Sequence, residues 1–392
     1  MERSLRLVER SSWRPISVGV TTTLVGFTSS FAVVLAGLEA VGATAAQATT
    51  ALVALCVLMG AGTIVLSLRH QQPFMVAWST PGAAILVAAG TVDGGWPAAV
   101  GAFLVTGALI VLTAALPGLG GLVGAIPAPL AQAMLAGVLL SLCVQPVTAF
   151  AQTPLLVGPV LLIWLLLARV APRWAAPVAF AVAVVMAVID VIVRGDHFAF
   201  AAPAFAITAP AFTLPAIVGI AIPLYIVTMA SQNVPGATIM ASHGFTVPWR
   251  ESLLITGAET MVGAPAGAHA VNLAAITAAL PASEEAHPDP ARRWIAAHTC
   301  GWAYVALAGL TPVLVTLAAA APAGLIQAVA GLALLGTLGS ALTAAMAERS
   351  RQLAVIVTFL TAASPIVLAG IGSSFWSLVA GLIVWGVFTV RR

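Results

Sequence analysis

Several short stretches of this 392-residue chain carry residue types that could do chemistry in apolar surroundings. Ser79-Thr80-Pro81-Gly82 places two hydroxyls before a proline, which is N-cap chemistry followed by proline at the first helical position. A helix that starts there aims its positive dipole end and unpaired N–H groups at whatever lies ahead, an arrangement suited to an anion. Met229-Ala-Ser-Gln-Asn-Val-Pro-Gly236 sets Gln232 and Asn233 side by side before a Pro-Gly break. Amides donate and accept without burying charge, so this pair could orient a carboxylate or tie helices together. Gly26-Phe-Thr-Ser-Ser30 adds Thr28, Ser29 and Ser30, hydroxyls that can also bond back to their own helix. Glu259 and His269 lie inside apolar stretches, which makes them candidate proton carriers; the alternatives are an interfacial carboxylate and a hydrogen-bonded neutral ring.

The elements that position these residues follow from composition. The chain is 61% hydrophobic and 7% charged, which excludes a soluble multidomain protein and makes lipid its solvent. The apolar runs are continuous rather than alternating, so a β-barrel is excluded and an all-α polytopic membrane protein is expected. Cutting at polar, Pro and Gly punctuation gives fourteen segments: 16–38, 47–67, 73–90, 97–116, 127–147, 154–170, 175–193, 212–232, 250–264, 265–281, 294–320, 323–345, 352–371 and 374–390. All 15 basic residues are arginine. With both termini cytoplasmic, fourteen spans put every arginine except Arg194 inside, as the positive-inside rule asks. Ser283 to Arg293 then forms a cytoplasmic loop. Residues 1–15 are polar and arginine-rich, and the first apolar stretch reads as a span rather than a cleaved leader.

Segments three and ten each join a short extended stretch to a helix of small residues: Pro73 to Gly82, and Pro265 to Leu273. Seven spans separate them, and an odd repeat must be inverted in the membrane. The expected domains are a first repeat over 1–193 and a second over 194–392. Paired interruptions in inverted halves point to a transporter's binding site, although a proline kink filled by neighbouring helices is the other reading of each break. Cys56, Cys143 and Cys300 are far apart with no metal-ligand spacing, so neither a disulfide nor a metal site is expected. No phosphate-binding loop, arginine-rich sensor span, haem-ligand pair or nucleophile–base constellation is present. Gradient-driven transport with no cofactor, no enzymatic turnover and no nucleic-acid partner is what remains.

Four motifs in this order carry a resemblance: Thr28-Ser29-Ser30, the Ala-Ser-Gln-Asn-Val-Pro-Gly run at 230–236, Asn272-Leu-Ala-Ala-Ile-Thr-Ala-Ala279, and Ala286-His-Pro-Asp-Pro-Ala-Arg-Arg293. Over the whole chain they are similar to the BenE family of benzoate/proton symporters, relatives of the nucleobase–ascorbate and sulfate permeases. The resemblance implies a bacterial inner-membrane importer of benzoate or a related aromatic carboxylate, coupled to protons. It implies a core domain of spans 1–4 and 8–11, a gate domain of spans 5–7 and 12–14, and a homodimer through the gate. In the nucleobase group a glutamate reads ligand N–H groups; Gln232 stands at that place here, and His269 and Asn272 stand near a second, a change that fits an anionic ligand. The implied site has the carboxylate capping the helix at Ser79-Thr80 and the ring on Phe27, Trp78 or Met229. Thr28, Ser29, Ser231, Gln232, Asn233, His269 and Asn272 surround it, and Glu259 or His269 carries the proton. The alternatives are a nucleobase or other anion carrier of the same fold, and an uncoupled anion uniporter or channel.

Overall fold

The computed structural model describes residues 2–116, 125–195, 205–322 and 324–389. His197, Arg391 and Arg392 lie outside them. Lipid offers no partner to a backbone N–H or C=O, so the apolar segments fold as helices that satisfy themselves. In chain order these are α1 (Glu2–Ala40), α2 (Ala45–His70), strand β1 (Val76–Trp78), α3 (Thr80–Ala89), α4 (Gly95–Ala115), α5 (Ala128–Cys143), α6 (Gln145–Gln152), α7 (Pro154–Val170) and α8 (Pro172–Arg194). They continue as α9 (Leu214–Ser242), α10 (Trp249–Gly263), strand β2 (Val271–Leu273), α11 (Ala279–Ala282), α12 (Trp294–Ala308), α13 (Thr311–Ala320), α14 (Leu325–Ala345), α15 (Gln352–Ala363), strands β3 (Val367–Leu368) and β4 (Ile371–Gly372), and α16 (Ser373–Thr389).

Among the described residues, 7 helices are long and apolar enough to cross a bilayer, or 8 when the bent pair ending in α12 and α13 is taken as one. Several of the fourteen expected segments are not single helices: segment 294–320 breaks between α12 and α13 with a 55° bend, and three others depart further. Segment three is β1 followed by the ten-residue α3, as its N-cap pattern predicts. In segment ten the expected half-helix is reduced to β2, a 3-10 turn at Ile276–Ala278 and the four-residue α11. Segment 352–371 ends as a helix at Ala363, before Pro365, and closes in the β3–β4 hairpin. That hairpin turns on Ala369 and Gly370, both at positive φ (54° and 74°), the conformation a two-residue turn between right-twisted strands needs.

Helix α9 holds two π turns, Ile217–Ala221 and Met229–Asn233, each ending two residues before a proline, Pro223 or Pro235. A proline cannot donate to the carbonyl four residues back and its ring crowds it; widening the helix by one residue relieves the clash and leaves carbonyls without helical donors.

Helix packing relies on small residues, as expected where lipid and side chains are equally apolar. Helix α2 packs on α12 and α4 on α10. At the first crossing a Cβ on Gly60 would lie 2.7 Å from Gly301 O, and one on Gly301 2.8 Å from Gly60 O. At the second, Gly107 and Gly257 stand in the same reciprocal relation at 2.9 and 3.0 Å. Strands β1 and β2 pair antiparallel in the buried centre, with Ala77 opposite Asn272. Helix α14 packs on α5, which also meets α15, while α7 packs on α8.

The polar loop from Ser283 to Arg293 is stapled. Arg293, 6% exposed, donates to His287 O and Ala282 O at 2.8 Å each, and His287 Nδ1 accepts Asp289 N–H at 3.0 Å. Between the end of α2 and the start of α10, Glu251 pairs with Arg69 (3.0 Å) and His70 (3.1 Å).

Candidate functional site

A cavity of about 510 Å³ opens where the broken elements meet. One wall is α1 (Gly26, Ser29, Ser30), β1 and the start of α3 (Trp78, Thr80, Pro81), the second π turn of α9 (Ser231, Gln232, Pro235), the chain after β2 (Ala274, Thr277), and Tyr304 of α12. The opposite wall is α5 (Gln132, Leu135) and α14 (Leu334, Thr337, Ser340, Ala341). Among the described residues, no acidic, basic or histidine side chain lines it. It has the size and the apolar lining with sparse polar groups of a small-molecule site.

The interruptions aim the polar groups. Ser79 caps α3: its Oγ accepts Gly82 N–H at 3.1 Å and the Thr228 hydroxyl at 3.0 Å. Its N–H donates to Ala270 O at 3.0 Å, and its carbonyl accepts from His269 Nε2 at 2.9 Å. Ser79 is therefore fully engaged and buried, and it holds the helix end rather than a ligand. With Pro81 lacking an N–H, Thr80 is the residue that lines the cavity at the positive end of α3.

On α9, successive residues point about 100° apart, and the two amides part company. Asn233 is buried, accepting Leu273 N–H at Oδ1 (2.9 Å) and donating to Met229 Sδ (3.2 Å), so it pins β2 to the π turn. Gln232 turns into the cavity beside Ser231. A Cβ on Gly236 would lie 2.7 Å from Ala274 O, so glycine lets α9 approach the chain that follows β2.

Of the sequence-derived candidates, Ser29, Trp78, Thr80, Ser231 and Gln232 line the cavity. Trp78 donates from Nε1 to Ser30 Oγ at 2.8 Å, which fixes its indole. Phe27 stands behind it, ring centroids 5.6 Å apart and 1% exposed. Thr28 bonds back to Leu24 O at 2.6 Å, and Met229 is buried against Asn233. Asn272, fully buried in β2, is oriented with Oδ1 accepting from Ser79 N at 3.0 Å and Nδ2 donating to Leu273 O at 2.8 Å. His269 is buried behind the α3 cap; its Nε2 carries the proton, since the acceptor is a carbonyl, and its Nδ1 has no partner among the described residues. Phe27, Thr28, Ser79, Met229, Asn233, His269 and Asn272 thus support the wall rather than form its surface.

Glu259 is also away from the cavity lining. It faces α2, where a Cβ on Gly62 would lie 2.5 Å from its Oε1, and its Oε2 is buried with no partner among the described residues.

The residues that sequence reading missed are Gln132, Thr277, Tyr304 and Thr337. Gln132 could have been noticed as an amide in the apolar run 127–147, and Tyr304 as one of 2 tyrosines. Together with Thr80 and Gln232 they have no protein hydrogen-bond partner among the described residues. Elsewhere helix hydroxyls such as Thr106, Thr113 and Thr256 bond back to the preceding turn.

Solved structures show the same fold. The transmembrane domain of a cyanobacterial bicarbonate transporter, BicA, matches with TM-score 0.59 at 14% identity, covering 95% of this chain and 98% of that one. SLC26A9 matches with TM-score 0.64 at 13% identity, covering 100% of this chain and 70% of that one; the murine Slc26a9 anion transporter in the inward-facing state matches with TM-score 0.62 at 12% identity, covering 96% and 68%. Among curated sequences, the Escherichia coli inner membrane protein YdcO is 40% identical over 375 residues, 95% of each chain. A benzoate membrane transport protein of Acinetobacter baylyi is 29% identical over 340 residues, 82% of each. The family model described as benzoate membrane transport protein matches residues 10–387, so this multi-pass membrane protein belongs to the BenE family of transporters.

Proposed function

We propose that this chain imports benzoate or a related aromatic carboxylate together with protons across the bacterial inner membrane. The observation that carries this is the cavity: apolar and aromatic, free of charged side chains, yet edged by hydrogen-bonding groups that the protein leaves unused. Such a site takes a flat apolar ring with one polar end. Thr80 at the α3 N-terminus and Gln232 supply neutral donors to the carboxylate, while Trp78 flanks the ring. With no acidic side chain in the lining, the nucleobase alternative loses the acceptor that ring N–H groups would need.

An uncompensated anion is costly to carry across the bilayer, which favours a proton as companion. Glu259 is the proposed carrier, because one of its oxygens is buried without a partner. His269, behind the α3 cap, is the second candidate.

The fourteen-span, seven-plus-seven arrangement with cytoplasmic termini belongs to the same proposal. It is supported by the two reciprocal glycine crossings, which exchange under a seven-span repeat: α2 with α12, α10 with α4. In this reading α5 and α14 belong to a gate, and movement of the gate against the core exposes the cavity alternately.

The test is uptake of labelled benzoate into proteoliposomes with and without an inward proton gradient, competed by unlabelled aromatic acids, bicarbonate and uracil. Gradient-dependent uptake blocked by aromatic acids alone, and lost in Gln232→Ala, is expected. Uptake indifferent to the gradient would make the protein a uniporter or channel, and competition by uracil or bicarbonate would reassign the substrate.

A further inference from the structure

Tyr304 presents a buried phenol with no hydrogen-bond partner for its hydroxyl among the described residues. The residue is 2% exposed and lines the cavity. The chain's other tyrosine, Tyr225, is also buried but shares a hydrogen bond with the Thr113 hydroxyl. Trp78 commits its indole N–H to Ser30. Of these three side chains, Tyr304 alone keeps a donor in reserve, and it lines the cavity. A phenylalanine would fill the same volume without burying a polar group, so packing does not explain the hydroxyl.

The sequence opposite makes room for it. A Cβ on Gly26 would lie 2.6 Å from Tyr304 Oη and 3.2 Å from Thr277 Cγ2, so glycine at 26 is what lets the phenol reach the cavity edge between α1 and the chain after β2.

We propose that Tyr304 is a substrate-binding and specificity-determining residue, whose O–H donates to an oxygen of the transported anion in a slot kept open by Gly26. The inference rests on the transport reading above, but not on benzoate itself. A phenol at neutral pH is a donor carrying no charge. It therefore strengthens the hold on a carboxylate, where the bond is charge-assisted, far more than on a neutral ligand.

The experiment is ligand binding by the purified full-length protein, titrated calorimetrically with benzoate, bicarbonate and uracil, with the melting temperature of the ligand-free protein measured alongside. Tyr304→Phe is expected to weaken binding of the wild type's anionic ligand about ten-fold or more, with the melting temperature unchanged or raised. Gly26→Ala is expected to lower both affinity and melting temperature; adding Tyr304→Phe, which removes the clashing oxygen, restores melting but not affinity. Unchanged affinity in Tyr304→Phe overturns the proposal, as does a fall in its ligand-free melting temperature. If the wild type binds bicarbonate or uracil instead of benzoate, the aromatic-carboxylate reading fails while Tyr304 is judged on the ligand bound. Binding of none of the three overturns both.

Discussion

Thr63 and Thr260 anchor the two central strands in the same way. Thr63 Oγ1 accepts the N–H of Val76 at 2.9 Å, and Thr260 Oγ1 accepts the N–H of Val271 at 2.9 Å. Each hydroxyl also donates to the carbonyl four residues back on its own helix, at 2.7 and 2.8 Å. Each thereby satisfies the first N–H of a strand that no neighbouring strand reaches. Valine in place of either threonine keeps the shape and leaves a buried N–H unpaired, at a cost of about 1–3 kcal/mol. Thr63→Val and Thr260→Val are expected to lower the melting temperature of the purified protein by similar amounts, with serine at either position close to wild type.

The reciprocal glycine crossings set how closely the helices approach. Alanine at Gly60 or Gly257 drives a methyl into backbone, Gly301 O at 2.7 Å in one case and Val111 N at 2.9 Å in the other, and backbone cannot rotate away. Both substitutions are expected to destabilise strongly. Gly339 of α14, where nothing lies within 4 Å, is the control: alanine there favours the helix by about 0.5–1 kcal/mol and melting should hold or rise. Equal effects at all these positions would refute close approach as the cause.

Ser79→Ala removes the α3 cap and strands the Thr228 hydroxyl, which together cost about 1–3 kcal/mol. Melting should fall first, and affinity only as far as the helix end loosens. Gln232→Ala, with no protein partner to lose, should do the reverse. A full loss of binding by Ser79→Ala at unchanged melting temperature would mean that the serine itself touches the ligand.

Arg293 closes the polar loop with a planar fork that bonds Ala282 O and His287 O together, a geometry the lysine ammonium cannot copy. Arg293→Lys is expected to destabilise by about 1–3 kcal/mol despite conserving charge. Limited proteolysis between residues 283 and 293 reads the opening of the loop directly.

Glu259→Gln keeps the shape against Gly62 and removes the ionisable proton. If Glu259 is the carrier, the variant exchanges substrate across vesicles at equilibrium but no longer accumulates it when the proton gradient is imposed. Retained gradient-driven accumulation would move the carrier role to His269, for which His269→Gln keeps a donor to the Ser79 carbonyl.

What the chain determines by itself is local. Continuous apolar runs, the arginines beside them, and the Ser-Thr-Pro and Pro-Gly breaks mark the helices and the places where they stop, because lipid forces each segment to satisfy its own backbone. That is why Thr80 and Gln232 are legible as parts of a site, whereas Trp78 and Ser231 enter only through the family resemblance. Their neighbours Ser79 and Asn233 carry the same kind of side chain, yet they hold the wall together. Which of two adjacent residues faces the cavity depends on the twist through a cap or a π turn, and composition does not encode that. Gln132, Thr337 and Tyr304 come from helices remote in sequence. In a soluble protein a polar stripe would betray the face turned from the core, but here lipid-facing and buried faces are equally apolar, so the apolar pattern of the runs 127–147 and 323–345 does not say which side meets the site, and only an isolated polar residue such as Gln132 hints at it. The hairpin after Ala363 was hidden for the same reason, its apolar residues reading as more helix. Only the packing of α5 and α14 across from α3 and α9 brings the unengaged hydroxyls and amides around one cavity, because glycine contacts and strand pairing, not hydrophobicity, decide who faces whom in lipid.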